Sequence, residues 1–119
     1  HQLGNLVRFM PHVAAFFRGI SLTLSFRLDH ETTASELESL YRQYYDGESR
    51  VQVTGAIPEV RHVQNTADVI IGGFTVDERD RSQVCLVVVL DNLLKGAASQ
   101  AMQNLNLALG LAENTGIDQ

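Results

Sequence analysis

Residues 91–100 (DNLLKGAASQ) form the segment of this sequence best suited to hold a ligand. An apolar run ends there in two polar residues, and the chain then passes through Gly96 into a helix of small residues. Such a junction places backbone N–H groups and the positive end of a helix dipole at the edge of a sheet, which suits an anionic or amide-bearing ligand. The residue types alone still favour a simpler interpretation, in which Asn92 is a turn or cap residue and the alanines permit close helix packing.

Arg18, which precedes Gly19, is the second candidate binding residue. Its planar guanidinium can hold a carboxylate or phosphate through paired donors, which a compact ammonium cannot imitate. His12 lies six residues earlier, before a pair of phenylalanines. The alternatives are that Arg18 is a surface charge at the start of a strand and that His12 only caps or packs.

The remaining reactive side chains predict little chemistry. Cys85 lies in an apolar, β-branched run, where a thiol packs rather than acts as a nucleophile. The acidic residues at 77, 78 and 80 belong to a turn rich in arginine, which is typical of a solvated loop. The histidines are dispersed, so we expect no metal site. Of the tyrosines at 41, 44 and 45, we expect two in the core and one hydroxyl free to reach a ligand or a partner subunit.

Length, charge and cysteine content restrict the class of protein. The 119 residues suffice for one domain but not for the two lobes that a nucleotide-dependent enzyme usually needs. A net charge of −5 with scattered basic residues disfavours nucleic-acid binding. The longest apolar run is far shorter than a membrane span, and the single cysteine fits a reducing compartment. We expect residues 1–119 to be one soluble domain whose first residue is a domain boundary rather than a biological start.

Hydrophobic periodicity predicts the strands that must position these residues. Residues 20–28 alternate apolar and polar, which is typical of a strand with one face on a core. Shorter strand signals follow at 50–54 and 68–76. Residues 84–90 are continuously apolar and β-branched, so we expect a central strand covered on both faces. The charged turn at 78–82 predicts an antiparallel hairpin that leads into it.

Two helices complete the predicted fold. Residues 33–46 follow helical spacing, Thr33 and Glu36 can form a capping box, and Gly47 follows the predicted end. A second helix ends at Gly110, and its expected core face is a stripe of apolar residues: Ala98, Ala101, Met102, Leu105, Ala108 and Leu109. These elements predict an α+β domain with a largely antiparallel or mixed sheet and helices packed on one face.

Four segments of the sequence carry a family resemblance. They are residues 11–20 (PHVAAFFRGI), 40–45 (LYRQYY), 69–72 (VIIG) and 91–110 (DNLLKGAASQAMQNLNLALG). In this order they resemble the C-terminal part of N-acetyl-gamma-glutamyl-phosphate reductases, and the match covers nearly the whole chain. DNLLKGAA followed by QNLN is its most specific part. FFRGISLTLS and IIGGF look most similar to fungal members, in which the reductase is made with an acetylglutamate kinase as a mitochondrial precursor.

The resemblance implies a fold similar to the C-terminal catalytic domain of glyceraldehyde-3-phosphate dehydrogenase, with subunit contacts through the sheet face that the helices leave open. It implies an oxidoreductase of arginine biosynthesis, in which a cysteine forms a thioester from N-acetyl-gamma-glutamyl phosphate, NADPH reduces it to the semialdehyde and a histidine moves the proton. The family segments that hold this cysteine and histidine do not occur in the 119 residues. No catalytic residue is therefore predicted here, and the chain alone is expected to be inactive.

The resemblance also implies site residues. Asn92 is similar by position to the residue that faces the nicotinamide carboxamide, and Gly96 and Ala97 match the helix start packed against the cofactor. Arg18 matches an arginine that faces the anionic substrate. The implied assembly is a homo-oligomer whose nucleotide-binding Rossmann lobe lies outside residues 1–119. The implied location is the mitochondrial matrix for a fungal protein and the cytoplasm otherwise.

Two positions depart from the family pattern. Residues 65–67 are Asn-Thr-Ala, where the family more usually has Gly-Thr followed by Asn or His. This difference leaves the role of Thr66 open. His1 falls where the family's histidine segment ends, but the Gln-Leu-Gly that follows does not match, so no catalytic role is assigned to it.

Two other interpretations remain beside the reductase. The chain could be a non-enzymatic α+β binding or dimerisation module, or a fragment of an aspartate-semialdehyde dehydrogenase, which the first half of the segment at 91–100 also resembles. The QNLNL sequence at 103–107 and the Arg-Gly-Ile unit at 18–20 favour the first interpretation.

Overall fold

The structure, a computed structural model, describes residues 7–117. His1 lies outside the described residues. The elements follow in the order β1 (Ile20–Arg27), α1 (Ala34–Tyr44), β2 (Val51–Val53), β3 (Val69–Val76), β4 (Gln83–Leu90) and α2 (Ser99–Ala108). A single 3-10 turn, Val60–His62, lies between β2 and β3, and a π-helical turn, Leu94–Ala98, leads into α2.

The strands form one mixed sheet in the order β1-β4-β3-β2. β4 is antiparallel to β1 and β3, whereas β2 runs parallel to β3. The predicted α+β class, the hairpin between β3 and β4 and the central place of β4 are confirmed. No helix in the described part of the chain is long and apolar enough to cross a membrane.

Helix α1 covers one face of the sheet. It begins with the predicted capping box, because the Thr33 hydroxyl accepts from the Glu36 N–H at 3.2 Å and the Glu36 carboxylate accepts from the Thr33 N–H at 2.8 Å. The core between helix and sheet joins Leu37 of α1 to Ile71, Phe74, Val84 and Leu86. Tyr41 and Tyr45 pack against this core and Tyr44 is exposed, as expected.

The other sheet face is covered only in part. Val89 is fully buried there, but Val87 and Cys85 are only partly buried. Beside them, β1 presents exposed serine and threonine side chains, with Ser25 opposite Cys85. The single chain therefore covers only one face of the first half of β4, and Cys85 is a partly exposed free thiol rather than a core residue.

Helix α2 is turned opposite to the prediction. Met102, Leu105 and Leu109 are exposed, whereas the polar residues Ser99, Gln103 and Asn106 are buried. The apolar stripe is therefore not the buried face of α2 within residues 7–117. Periodicity identified the helix correctly but not the side that packs.

Hydrogen bonds explain why α2 buries polar side chains. Gln103 accepts from the Lys95 ammonium at 2.6 Å and donates to the Glu113 carboxylate at 2.7 Å. The Asn106 amide donates to the main-chain carbonyls of Glu113 and Thr115. These bonds hold the segment after α2 against the helix, and each buried amide is satisfied. The Gln-Asn-Leu-Asn stretch thus has a structural role.

Candidate functional site

Sheet register brings three distant parts of the sequence together at one edge. Ile20 pairs with Leu90, and Leu90 also pairs with Val69. The residues before β1, after β4 and before β3 therefore meet at the same place. We name the group formed there the Asp91 cluster: Arg18, Asn65, Asp91 and Asn92.

Asp91 is the centre of this cluster. Its side chain is 0% exposed, and its Oδ2 lies 2.5 Å from Nε of Arg18. Oδ2 also accepts from the Asn65 N–H at 2.8 Å, while Oδ1 accepts from the N–H groups of Leu93 and Leu94, both at 2.9 Å. A buried carboxylate is stable only with such partners. Asp91 thus joins three segments of the chain and is the residue that caps the turn leading into α2.

The surroundings of Asp91 keep it ionised. Burial acts to raise its pKa, but the N–H of Asn65, the Arg18 guanidinium and the N–H groups of Leu94 and Leu93 together outweigh burial and lower the pKa below its usual value. The cluster therefore holds a carboxylate and a guanidinium side by side near neutral pH.

Arg18 lies between this buried charge and the surface. Its side chain is 21% exposed. Besides the contact with Asp91, its Nη1 donates to Oδ1 of Asn65 at 2.9 Å, and its main-chain carbonyl accepts from the Gln64 amide at 2.9 Å. Among the described residues, no partner is found for Nη2. Nε and Nη1 of the guanidinium are thus engaged, and Nη2 remains able to donate to an anion.

Asn92 tethers the start of β1. Its Oδ1 accepts from the Gly19 N–H at 2.8 Å, which leaves the two amide hydrogens on Nδ2. Gly19 has φ of +119°, and a Cβ there would lie 2.1 Å from a methyl of Val60, so glycine is required. Asn92 therefore does not cap the next turn. Its side chain is bonded to the residue just before β1, next to Arg18.

Three backbone N–H groups at the π-helical turn are already bonded and are not available to an anion. The N–H groups of Leu93 and Leu94 bind the Asp91 carboxylate, and the N–H of Gly96 donates to the Asp91 carbonyl at 2.8 Å. Gly96 and Ala97 are exposed on this turn. An anion at this edge would therefore rely on Arg18 rather than on a helix terminus.

Asn65 has a left-handed backbone with φ of 64°, which glycine adopts freely and asparagine tolerates. Asparagine can therefore occupy this turn at the position where the resemblance implied glycine. The Thr66 hydroxyl donates to the Val63 carbonyl at 3.0 Å and accepts from the Asp68 N–H, so Thr66 helps to close the turn. The same turn borders an open cleft of about 390 Å³, whose other wall is the start of α2.

Of the residues singled out in the sequence, Arg18 and Asn92 are brought together, and Gly96 and Ala97 lie one turn away. His12 is exposed and its ring contacts only the Met10 carbonyl among the described residues. Within residues 7–117 no group of metal-binding side chains comes together. No binding or capping role was predicted for Asp91, although an aspartate just before a helix start is a typical cap. The capping role was given to its neighbour Asn92 instead.

Comparison with known proteins identifies similar chains. Residues 2–92 match the family described as "Semialdehyde dehydrogenase, dimerisation domain". "Protein arg-6, mitochondrial" of Neurospora crassa is 48% identical over 98% of this chain and 13% of its own length. An N-acetyl-gamma-glutamyl-phosphate reductase of Xanthomonas campestris is 47% identical over 98% of this chain and 36% of its own length. A "Bifunctional protein argC, mitochondrial" of Dictyostelium discoideum is 44% identical over 95% of this chain and 13% of its own length.

These relatives confirm the predicted resemblance. This chain spans about a third of the bacterial relative and about an eighth of the mitochondrial ones. Among solved structures, a probable aspartate-semialdehyde dehydrogenase from Pseudomonas aeruginosa matches 78% of this chain and 28% of its own with a TM-score of 0.67. Its sequence identity is 23%, so this match shows the fold alone.

Proposed function

The chain belongs to the family of semialdehyde dehydrogenase dimerisation domains, and from this premise we propose that it is part of an N-acetyl-gamma-glutamyl-phosphate reductase. The whole protein would be a phosphorylating oxidoreductase that converts N-acetyl-gamma-glutamyl phosphate to N-acetylglutamate semialdehyde in arginine biosynthesis. The observation that carries the proposal is the 47% identity with a reductase of that name along 98% of this chain. This domain would supply part of the substrate wall, a contact to the nicotinamide and a subunit interface.

Arg18 is the residue proposed to face the acyl phosphate. Supporting this role, Nε and Nη1 of its guanidinium contact Asp91 and Asn65, while Nη2 has no partner within the described residues. A guanidinium edge is well suited to a phosphoryl or carboxylate group.

Asn92 is the residue proposed to contact the nicotinamide carboxamide. Because its Oδ1 is used by Gly19, its Nδ2 is the atom that can donate to the carboxamide oxygen. Gly96 and Ala97, on the exposed turn beside it, would pack against the cofactor. The cofactor's own contribution is a hydride, and we propose NADP as its form. The residues present fit this contact, whereas the lobe that binds the rest of the dinucleotide would lie outside residues 1–119.

The assembly and location follow the relatives. A dimerisation domain supports a homo-oligomer. Similarity to mitochondrial proteins of Neurospora crassa and Dictyostelium discoideum supports the mitochondrial matrix, and the cytoplasm is the alternative for a bacterial protein. The bifunctional relative supports a precursor that also carries an acetylglutamate kinase.

A substrate comparison tests the proposal. The full-length polypeptide that carries these residues is purified and assayed with NADPH against N-acetyl-gamma-glutamyl phosphate and beta-aspartyl phosphate. We expect kcat/KM to favour the acetylated substrate by about a hundredfold or more, since a site that binds an acylated amine rejects a charged one. A preference for aspartyl phosphate would identify an aspartate-semialdehyde dehydrogenase, and no turnover with either would favour a non-enzymatic module. The 119-residue chain alone, assayed beside it, should not turn over.

A further inference from the structure

We propose that Asp91 is a positioning residue of the reductase, which orients Arg18 toward the acyl phosphate and thereby sets the affinity for substrate. The inference rests on the proposed function, because it concerns the site where that substrate would bind. It assigns a functional role to a buried side chain that does not itself touch the substrate.

The first argument is the way in which Asp91 holds Arg18. A long arginine side chain on the surface samples many rotamers, but here Nε lies 2.5 Å from a carboxylate that is 0% exposed. That carboxylate is itself fixed by three main-chain donors, from Asn65, Leu93 and Leu94. Arg18 is therefore attached to a rigid part of the backbone rather than to another mobile side chain.

The second argument is the division of donors on the guanidinium. Arginine has five N–H donors, of which Nε faces Asp91 and one on Nη1 goes to Asn65. The two hydrogens on Nη2 have no partner within residues 7–117, and the Arg18 side chain is 21% exposed. Three main-chain N–H groups also stabilise the Asp91 carboxylate but add no net charge, so the Asp91–Arg18 pair would hold an anion through the directed donors on Nη2.

The third argument is that Asp91 couples the two proposed walls of the site. The same carboxylate binds the turn at Asn65 and the turn after Asn92, and Asn92 in turn holds Gly19, next to Arg18. A change at Asp91 therefore alters the substrate side directly, through Arg18. It reaches the cofactor side only through the backbone.

The test is Asp91→Asn in the full-length reductase, with Asp80→Asn as the matched control. Asparagine keeps an acceptor for Leu93 and Leu94 but presents an amide group in place of the oxygen that pairs with Arg18 and accepts from the Asn65 N–H. We expect KM for the acyl phosphate to rise about tenfold or more, with KM for NADPH and kcat within about threefold. Asp80→Asn breaks the pair with Arg27 at the opposite end of β1 and should change none of the three.

A second variant decides the question if Asp91→Asn does not fold. Arg18→Lys keeps a positive charge beside Asp91 but has no second edge for an anion. If Asp91 acts by positioning Arg18, KM for the acyl phosphate should rise by a similar factor in Arg18→Lys. The melting temperature of that variant should stay near that of the wild type. Normal KM in Arg18→Lys, or in a folded Asp91→Asn, would overturn the inference and leave the pair as structural. Failure of the wild-type protein to reduce the acyl phosphate at all would instead refute the proposed function.

Discussion

At the scale of single residues, the Asp91 cluster makes separate predictions for neighbouring side chains. Asn92 accepts from Gly19 with Oδ1 and keeps Nδ2 free for a carboxamide. If Asn92 only tethered the chain, Asn92→Ala would cost about 1 kcal/mol of stability and little activity. If it also places the nicotinamide, we expect kcat to fall by about tenfold or more, because a misplaced ring compromises hydride geometry.

Kinetics and thermal melts on that one full-length variant separate these outcomes. A lower melting temperature with near-normal turnover would leave Asn92 as a structural residue. Asn114→Ala is a suitable control, because it also removes an asparagine side chain that bridges segments, by donating to Ser49, but it lies away from the cluster.

The pH dependence of stability follows from Asp91. Its pKa in the folded protein lies below that in the unfolded chain, so its contribution is present above the unfolded value of about 3.9 and is lost as pH falls through the folded value. The unfolding free energies of wild type and Asp91→Asn should therefore differ by a constant amount above about pH 5 and converge in more acidic solution. A gap that stays constant from about pH 3 to pH 7 would show that Asp91 does not titrate in this way.

The sequence predicted part of this site. Arg18 and Asn92 were identified from their types and from the family resemblance, and they are neighbours. Their partner Asp91 was not, because its role depends on β1, β3 and β4 all meeting beside it. Sheet register of this kind cannot be derived from residue spacing. It becomes visible only when the backbone is in place.

At the scale of elements, α2 shows where periodicity fails. An apolar stripe predicts a buried face only if the nearest surface is apolar, and here Lys95 and the carbonyls of the segment after α2 select the amide face of the helix. The strands and α1 followed the prediction because the surfaces between them are apolar.

A pair of substitutions tests the orientation of α2 in the 119-residue chain. Gln103→Leu leaves the Lys95 ammonium and the Glu113 carboxylate without their shared partner, so we expect it to cost about 1–3 kcal/mol. Leu105→Ala removes a half-exposed side chain and should cost no more than about 0.5 kcal/mol. Urea denaturation of both variants gives the comparison. The reverse ranking would restore the apolar stripe as the buried face.

At the scale of the whole molecule, the sheet face opposite α1 is the surface through which we expect the dimerisation that the family name describes. Val87 and Cys85 are partly exposed at its centre. We expect the chain to self-associate through this face at high micromolar concentration and Val87→Glu to abolish association, because a charge buried at the centre of the interface would be left unpaired.

Sedimentation velocity measures this association directly. Leu40→Glu is the control, since Leu40 is equally apolar but exposed on the helical side of the sheet. Unaltered association in Val87→Glu, with loss in Leu40→Glu, would place the interface on the opposite face. A wild-type chain that remains monomeric would remove the sheet face as an interface of the isolated domain.

The measurement that tests the central claim most directly is activity after domain exchange. The matching third of the Xanthomonas campestris reductase is replaced by residues 2–117 of this chain, and NADPH oxidation is followed with N-acetyl-gamma-glutamyl phosphate. If this domain supplies the substrate wall and the nicotinamide contact, the exchanged enzyme should keep kcat/KM within about tenfold of the parent, and Arg18→Met in it should raise KM for the acyl phosphate. A folded, oligomeric exchange protein that has no such activity, or whose KM is unaffected by Arg18→Met, would contradict the account.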